Sequence, residues 1–323
     1  MTEPDRPDRW HAPRNRAEFQ AKIEAGRSEL ESQLRDARRQ FDETQERINA
    51  RTGRNLLFAT VFGLVLGFAM LFSLIVFKEL FLIVAAFLVV FAVVELAGAL
   101  RFAGRDVPRI PSVVVAVLAL PVAYFVPGGG QWWAVVGAIA VVSLWRLAEL
   151  AIPSMRAPFR DVVRDLGAGA LIQLYVTLLG SFAVVLVSRD GGEWWALAFL
   201  IVVIATDVGA YASGLSFGKH PMAPRISPKK TWEGFAGAAL AALVGGVLLA
   251  IFMLQQPWWV GVIFGLVMVV TATVGDLAES LIKRDLGIKD ISSWLPGHGG
   301  FLDRLDSILP SAAAAYALYL IFA

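Results

Sequence analysis

Residues 258–282, WWVGVIFGLVMVVTATVGDLAESLI, decide the fold of this chain. An apolar run of this length, at about 1.5 Å of rise per residue, is long enough to cross the ~30 Å hydrocarbon core of a bilayer as one helix. Gly275 and Asp276 stand near the end of the run, where a carboxylate beside hydrocarbon is costly without a partner. The run therefore predicts a membrane helix that ends in a polar functional site.

The whole chain has the composition of an integral membrane protein. Hydrophobic residues make up 57% of it and charged residues 17%, against about 25% charged residues in soluble proteins, and the mean hydropathy is +0.64. The chain has no cysteine, which excludes disulfides, thiolate metal sites and cysteine nucleophiles. Any metal is therefore expected to be a hard cation with oxygen or histidine ligands. The N-terminus shows no pattern of a removable signal peptide.

The sequence predicts two domains that meet near Arg54. Residues 1–54 are polar, contain twelve Lys or Arg, and carry a heptad-like apolar stripe that predicts a cytoplasmic helix over about residues 17–50. A coiled-coil dimer and a solvated or membrane-surface helix both remain open for this segment. Residues 55–323 are predicted to form an all-α, polytopic transmembrane domain. Its nine predicted spans cover about residues 56–77, 80–100, 110–126, 132–151, 168–187, 194–217, 234–255, 258–282 and 302–323.

The distribution of positive charge orients the predicted spans. With the basic N-terminus inside, the cytoplasmic loops at 101–109, 152–165, 218–233 and 283–301, together with Arg304, hold fourteen Lys or Arg. The other side holds only Lys78 and Arg189. Because Lys and Arg concentrate in cytoplasmic loops, the N-terminus and the polar loops are predicted to face the cytoplasm.

Polar residues concentrate in residues 280–306, SLIKRDLGIKDISSWLPGHGGFLDRLD, and at the helix end just before them. Asp276, Ser280, Lys283 and Arg284 stand at i, i+4, i+7 and i+8, so a helix places them on one face. A carboxylate, a hydroxyl and two cations in this order suit a metal ion and the phosphates that it bridges. This face is therefore a candidate catalytic surface.

The loop that follows predicts a phosphate-binding turn at residues 296–300, Pro-Gly-His-Gly-Gly. The adjacent Gly299 and Gly300 allow backbone N–H groups to approach an anion closely. Lys289 before the turn and His298 within it add candidate cationic contacts to phosphate. His298 alone is also compatible with an ordinary hydrogen-bonding role in a turn.

Two further carboxylates stand at the start of the last predicted helix. Asp303 and Asp306 lie one turn apart with Arg304 between them, and the positive end of a helix favours acids there. Together with Asp276 they are predicted to hold one or two Mg²⁺ ions. The alternative is that these charges are snorkelling helix ends in contact with anionic lipid.

A second polar cluster covers residues 207–234, DVGAYASGLSFGKHPMAPRISPKKTWEG. Asp207 and Tyr211 share a helix face, and Asp207 stands about 15 Å before the predicted helix end, a depth at which an acid marks a cavity or an internal partner. Lys229 and Lys230 lie in a Ser-Pro-Lys-Lys-Thr turn and are predicted to bind substrate phosphate. An ordinary positively charged cytoplasmic loop is the alternative.

These segments carry a resemblance to a known family. Residues 280–306 resemble the signature of the phosphatidate cytidylyltransferases, the CDP-diacylglycerol synthases, and residues 207–234 are similar to a second region shared in that family. The resemblance covers about residues 195–323 in motif detail and the membrane part in outline. The signature positions are Ser280, Lys283, Arg284, Lys289, Asp290, Ser292, Pro296, His298, Gly299, Gly300, Asp303, Arg304 and Asp306.

The resemblance implies an all-helical membrane enzyme, commonly a homodimer, that joins CTP and phosphatidic acid with Mg²⁺ to give CDP-diacylglycerol and pyrophosphate. It places Asp276 and Asp303 at a two-metal centre, with Asp306, Lys283 and Ser280 beside it, and leaves open a monovalent cation as second ion. Membrane lipids are expected partners and nucleic acid is not. The expected location is the bacterial inner membrane, with the active site facing the cytoplasm.

Two other functions remain alternatives at this point. One is a CTP-dependent lipid kinase of the dolichol or phytol type, and the other is a transporter or lipid-binding protein without chemistry. Transporters place their coupling charges near the midplane of two related halves, whereas this chain places nearly all of its charges at one face. Trp232, Trp294 and Phe301 are candidates for stacking on the cytosine base, although aromatic residues are common at membrane interfaces.

Overall fold

A computed structural model describes residues 56–288, 291–292 and 300–323. The predicted N-terminal helix and the predicted domain boundary near Arg54 lie outside the described residues. So do Lys289 and Asp290, four residues of the predicted phosphate-binding turn, Pro296, Gly297, His298 and Gly299, and the candidate stacking residue Trp294.

Apolar helices make up most of the described chain, which confirms the predicted all-α polytopic fold. A short antiparallel hairpin of two strands, Pro221–Ala223 and Ser227–Thr231, joins the helices Gly192–Phe217 and Trp232–Phe252 and was not predicted. The helical segment Phe159–Val187 contains a π-helical stretch at Gln173–Leu178. The elements are α1 Leu56–Ile75, α2 Lys78–Phe102, α3 Arg109–Phe125, α4 Gly130–Glu149, α5 Phe159–Val187, α6 Gly192–Phe217, β1 Pro221–Ala223, β2 Ser227–Thr231, α7 Trp232–Phe252, α8 Trp258–Asp285, α9 Leu302–Leu305 and α10 Ile308–Phe322.

Within the described residues, 7 helical segments are long and apolar enough to cross a membrane. They are α2, α4, α5, α6, α7, α8 and the segment Leu302–Phe322, which joins α9 to α10. Two shorter apolar helices, Gly63–Ile75 within α1 and Arg109–Phe125, coincide with the first and third predicted spans. The count of nine spans and the cytoplasmic N-terminus therefore stay predictions.

Small side chains bring the helices of the C-terminal half close together. Ala238 and Ala242 of α7 and Ala272 of α8 are buried, and they belong to the same apolar core as Val202 of α6. Because alanine projects little beyond the backbone, helices in a membrane pack closely where such residues face one another. This close packing holds α6, α7 and α8 around the polar residues at their ends.

A buried ion pair ties the elements of the N-terminal half. Arg146 of α4 donates from Nε and a terminal nitrogen to Asp165 Oδ2 of α5, at 3.0 and 2.9 Å. The backbone N–H of Asp106, in the connection between α2 and α3, donates to Asp165 Oδ1 at 2.9 Å. Both Arg146 and Asp165 are buried, so three elements depend on one carboxylate.

Candidate functional site

The ends of α6, α7 and α8, the hairpin and the segment 303–307 enclose an open cleft of about 450 Å³. Four of its lining residues are acidic and four are basic, so the formal charges of the lining balance, and the cleft offers partners to both anions and cations. The charged lining residues are Asp207, Asp276, Asp303, Asp306, Lys229, Lys230, Lys283 and Arg304. The structure therefore brings together residues that the sequence singled out in three separate stretches.

The helix α8 places Asp276 in the cleft and also carries Ser280, whose hydroxyl contacts the carboxylate of Asp276. Asp276 forms an ion pair with Lys230 of β2, and Ser280 Oγ donates to Asp276 Oδ1 at 3.5 Å. Ser280 is buried and is not among the residues that line the cleft. Its contact fits orientation of Asp276 better than direct contact with a substrate.

Lys283 connects α8 to the last helical segment. Its Nζ lies 2.9 Å from Asp303 Oδ1 and also forms an ion pair with Glu279, whose side chain is 0% exposed. The other oxygen of Asp303 accepts a hydrogen bond from Gly300 N at 2.8 Å. A single ammonium group is thus shared by two carboxylates, and both oxygens of Asp303 are fixed in direction.

Asp306 reaches the cleft because two helical segments approach each other closely. A Cβ added at Gly275 of α8 would overlap the carbonyl oxygen of Asp306 and lie 2.6 Å from Pro310 Cγ. Only glycine leaves room for this approach. The carboxylate of Asp306 is itself buried and accepts a hydrogen bond from Ser307 N at 2.6 Å.

The hairpin supplies two lysines, although not from a turn as predicted. Lys229 and Lys230 lie in β2, which pairs with β1 in the register Ala223 to Ser227 and Pro221 to Thr231. The prediction of a turn was wrong because proline is compatible with the edge of a sheet as well as with turns. Arg284 does not line the cleft; its Nε donates to the carbonyl of Ile226 at 3.3 Å and so links α8 to the hairpin.

On α6, Asp207 and Tyr211 both line the cleft, as their shared helix face predicted. Tyr211 is 72% exposed, so its ring stands at the opening. The helix ends at Phe217, the predicted residue. Both side chains are therefore available to a ligand that enters from the side of α6.

The two described candidates for stacking on the cytosine base, Phe301 and Trp232, differ in their exposure. Phe301 is 5% exposed, and its ring stacks on Phe91 of α2 with the centroids 4.4 Å apart. The prediction that Phe301 stacks on a base is wrong, because its ring is already packed against α2. Trp232 is exposed and makes an edge contact with Phe235, so it stays a candidate.

Gly300 is the described residue of the predicted phosphate-binding turn, and its backbone N–H donates a hydrogen bond to Asp303. Lys289, His298 and Gly299 lie outside the described residues. Their predicted contacts with phosphate stay predictions.

Sequence reasoning missed two buried carboxylates. Glu279 lies three residues after Asp276 and four before Lys283, so helical spacing alone places it near both. Glu95 of α2 is the single charged residue in the predicted span 80–100, and a charge inside an apolar span is by itself a signal of function. Both residues could have been found from that signal.

The cleft supplies hard oxygen donors for a cation. Among the described residues, no three Asp, Glu or His side chains are already gathered as metal ligands. Mg²⁺ in nucleotide sites is usually held by one or two carboxylates plus the phosphates of the substrate rather than by a complete protein cage. Asp276, Asp303 and Asp306, which face one cleft, fit a site of that kind.

Comparison with known proteins gives concordant matches. The model of the cytidylyltransferase family matches residues 58–322. The phosphatidate cytidylyltransferase of Mycobacterium bovis is 39% identical over 272 residues, which cover 83% of this chain and 89% of that protein. Its counterpart in Mycobacterium tuberculosis is also 39% identical over 272 residues, covering 83% of each chain. That of Mycobacterium leprae is 37% identical over 276 residues, covering 83% of this chain and 88% of that protein.

Proposed function

The chain belongs to the cytidylyltransferase family, and we infer that it transfers the cytidylyl group of CTP to phosphatidic acid, giving CDP-diacylglycerol and pyrophosphate. The observation that carries this inference is the cleft at the ends of membrane helices, where four cations face four carboxylates. A lipid phosphate and a nucleoside triphosphate can meet there while the acyl chains of the lipid stay among the apolar helices. The enzyme is thus a nucleotidyltransferase of phospholipid synthesis.

In this reaction a phosphate oxygen of phosphatidic acid attacks the α-phosphorus of CTP. A new bond from oxygen to the α-phosphorus forms, and the bond to the β-phosphate oxygen breaks as pyrophosphate leaves with its electron pair. The attacking oxygen is already ionised near neutral pH, so no strong general base is required. Catalysis then depends on positioning and on stabilising the charge that develops on the phosphates.

The cations of the cleft are the groups that bind and align the phosphates. Lys229, Lys230 and Arg304 line one cavity with Lys283, so they approach a bound anion from the hairpin, from α8 and from the last helical segment. Lys283 is held by Asp303 and Glu279, which fixes its ammonium group before a substrate arrives. Preorganised charge of this kind is usually the largest catalytic contribution.

We propose that Asp276 and Asp303, with Asp306 beside them, hold Mg²⁺ together with substrate phosphates. A cation held by these carboxylates would offset the negative charge on phosphate oxygens. The role of Ser280 is to hold Asp276, as its hydrogen bond indicates. Asp303 is held by Lys283 and Gly300, which fixes the direction of its lone pairs.

We further propose that the protein lies in the bacterial inner membrane as a homodimer, with the cleft facing the cytoplasm. The concentration of Lys and Arg in the loops on that side supports the orientation, and CTP is a cytoplasmic nucleotide. The relatives are bacterial proteins. The family resemblance supports the homodimer.

The test is an incubation of the purified protein with phosphatidic acid, Mg²⁺ and CTP labelled at the α-phosphate. Labelled lipid is the expected product. Label left in CDP together with a phosphorylated lipid would indicate a kinase, and no conversion would indicate a transporter or binding protein. Either result would overturn the proposed function.

Replacement of Asp303 by Asn is expected to abolish this conversion, because the amide loses the negative charge that Mg²⁺ requires. The matched control is Asp190→Asn, which changes an exposed acid in the loop between α5 and α6 and should leave turnover unchanged. Turnover of labelled CTP is measured for both variants after size-exclusion chromatography has shown that they are folded. Near-normal turnover in Asp303→Asn would contradict its role at the metal.

A further inference from the structure

We propose that Glu95 of α2 is a positioning residue, whose carboxylate fixes the backbone of residues 300–302 and thereby the direction of Asp303. Glu95 is not among the residues that line the cleft, so it acts through the chain rather than by touching a substrate. The expected effect of Glu95 on kcat rests on the proposed function. Its effect on the backbone of residues 300–302 can be measured without any turnover.

The carboxylate of Glu95 accepts hydrogen bonds from two consecutive backbone N–H groups and from one side-chain hydroxyl. Its side chain is 3% exposed. Oε1 accepts a hydrogen bond from Phe301 N at 3.0 Å, and Oε2 accepts one from Leu302 N at 2.9 Å. Ser292 Oγ also donates to Oε1. These backbone N–H groups lie at the start of α9, where a helix leaves its first donors without internal partners.

The same face of α2 receives the side chain of Phe301. Phe87, Phe91 and Glu95 stand at i, i+4 and i+8, so they form one stripe along the helix. The ring of Phe301 stacks on Phe91 at 4.4 Å and meets Phe87 edge-on at 5.8 Å. The backbone and the side chain of Phe301 are thus held by one helix face, which leaves the segment little freedom to shift or rotate.

The connection to Asp303 passes through Gly300. Gly300 N donates to Asp303 Oδ2 at 2.8 Å, while Asp303 Oδ1 meets Lys283 at 2.9 Å. A Cβ added at Gly300 would lie 2.7 Å from Glu95 Oε2, so residue 300 is in direct contact with the carboxylate. A shift of Glu95 therefore moves the N–H group that orients Asp303.

A carboxylate inside an apolar span is costly, and its presence needs a reason. Three hydrogen-bond donors compensate its charge here. An apolar residue of similar size would remove that cost but leave two buried N–H groups without acceptors, which is unfavourable. The two oxygens of the Glu95 carboxylate thus supply the acceptors that the N–H groups of Phe301 and Leu302 need.

The first experiment compares Glu95→Gln with Leu96→Ala. Glutamine keeps the size of the side chain, but its amide nitrogen donates and cannot accept from a second N–H group. Leu96 is fully buried next to Glu95 in α2, so its truncation destabilises the helix packing without touching the contacts of the carboxylate. Both variants are measured for hydrogen–deuterium exchange of the peptide that contains Phe301 and Leu302, for kcat, for the KM of CTP and for Tm.

In Glu95→Gln we expect exchange of that peptide to rise about tenfold or more, since hydrogen bonds to a charged group are lost. We expect kcat to fall about 10- to 100-fold, as for other residues that orient a ligand of a metal or reacting group, with a smaller change in the KM of CTP. Leu96→Ala should lower Tm while its exchange at 301–302 and its kcat, measured below its Tm, stay near those of the wild type. Wild-type exchange in Glu95→Gln, or a loss of kcat no larger than that of Leu96→Ala, would overturn the proposal.

A second experiment tests the contact between Glu95 and residue 300. Gly300→Ala adds a methyl group against the carboxylate and should lower kcat. Glu95→Asp shortens the side chain by one methylene, so the double variant should be more active than Gly300→Ala alone. Strict additivity of the two changes would contradict the contact. If the wild type itself converts no labelled CTP, the proposed function fails, whereas the exchange data still decide whether Glu95 holds residues 300–302.

Discussion

Lys283 is the residue that couples the carboxylates of α8 to that of the last helical segment. Its ammonium group pairs with the buried Glu279 and with Asp303, and it lines the cleft. Two tasks are therefore combined in one side chain, because the cation neutralises a buried charge and also lines the cleft in which we propose that the phosphates bind. The two tasks can be separated by mutation.

Lys283→Met is expected to lower both stability and turnover, since it leaves Glu279 buried without its cation; removal of one partner of a buried pair typically costs about 3–5 kcal/mol. Lys283→Met combined with Glu279→Gln removes the stranded charge and should recover much of the stability but none of the turnover. Thermal unfolding and the labelled-CTP assay measure the two quantities. Recovery of turnover in the double variant would show that Lys283 has no role in binding phosphate.

The sequence predicted which residues lie in the cleft where polar side chains recur at helical spacing. Asp276 and Lys283 were singled out because they share a helix face in a polar segment, and Asp207 because it stands alone in an apolar helix; all three line the cleft, while their functional roles stay predictions. The pairing of Lys230 with Asp276 was not predictable, because it depends on how a hairpin folds over a helix that follows it in the chain. Local spacing carries no information about such a contact.

At the scale of elements, the site depends on how closely α8 approaches the start of the last helical segment. Gly275 permits this approach, and its neighbour Asp276 faces the cleft with Asp306. A change in the distance between the two segments would separate carboxylates that come from different elements. Activity should therefore be sensitive to side-chain volume at position 275.

Gly275→Ala is expected to lower turnover about tenfold or more, because a displacement of about 1 Å at a reacting centre can cost up to about 100-fold. The strain of the added methyl group should also lower stability by about 1–3 kcal/mol. Gly137→Ala in α4 is the matched control, since a Cβ there meets nothing within 4 Å. It should leave turnover unchanged. Equal effects of the two substitutions would contradict the close approach as the cause of the loss, since alanine favours a helix over glycine at both positions.

The N-terminal helices depend on a different interaction. Asp165→Leu would remove the acceptor that Arg146 and the N–H of Asp106 share and leave Arg146 with the more distant carboxylates of Asp106 and Glu149, at 3.5 and 3.7 Å. It should destabilise the protein by about 3 kcal/mol, the low end for a broken buried pair. None of these residues lines the cleft, so the kcat of the protein that remains folded should change little. Thermal unfolding and kcat at low temperature measure the two effects. A loss of kcat without a loss of Tm would instead place Asp165 in the catalytic apparatus.

At the scale of the whole molecule, the bilayer made the fold predictable. A membrane-spanning helix must satisfy its own backbone hydrogen bonds and needs a long apolar run, so hydropathy alone located the helices and α6 ends at the predicted residue. The hairpin escaped prediction because its strands are only three and five residues long. The contact of Glu95 with Phe301 could not be predicted, because the two residues lie 206 positions apart in the chain. Contacts between distant segments follow from packing rather than from local pattern.

The orientation of the whole molecule decides whether the cleft can receive CTP. Arg225, in the turn of the hairpin beside the cleft, and Asp190, in the loop between α5 and α6, should lie on opposite sides of the membrane, the first with the positively charged loops. Since the chain has no cysteine, Arg225→Cys and Asp190→Cys each introduce a single thiol. A membrane-impermeant maleimide applied to cells with a permeable outer membrane should label Asp190→Cys at once and Arg225→Cys only after the inner membrane is disrupted. The reverse pattern would place the cleft on the side that lacks CTP, and the proposed reaction could not occur there.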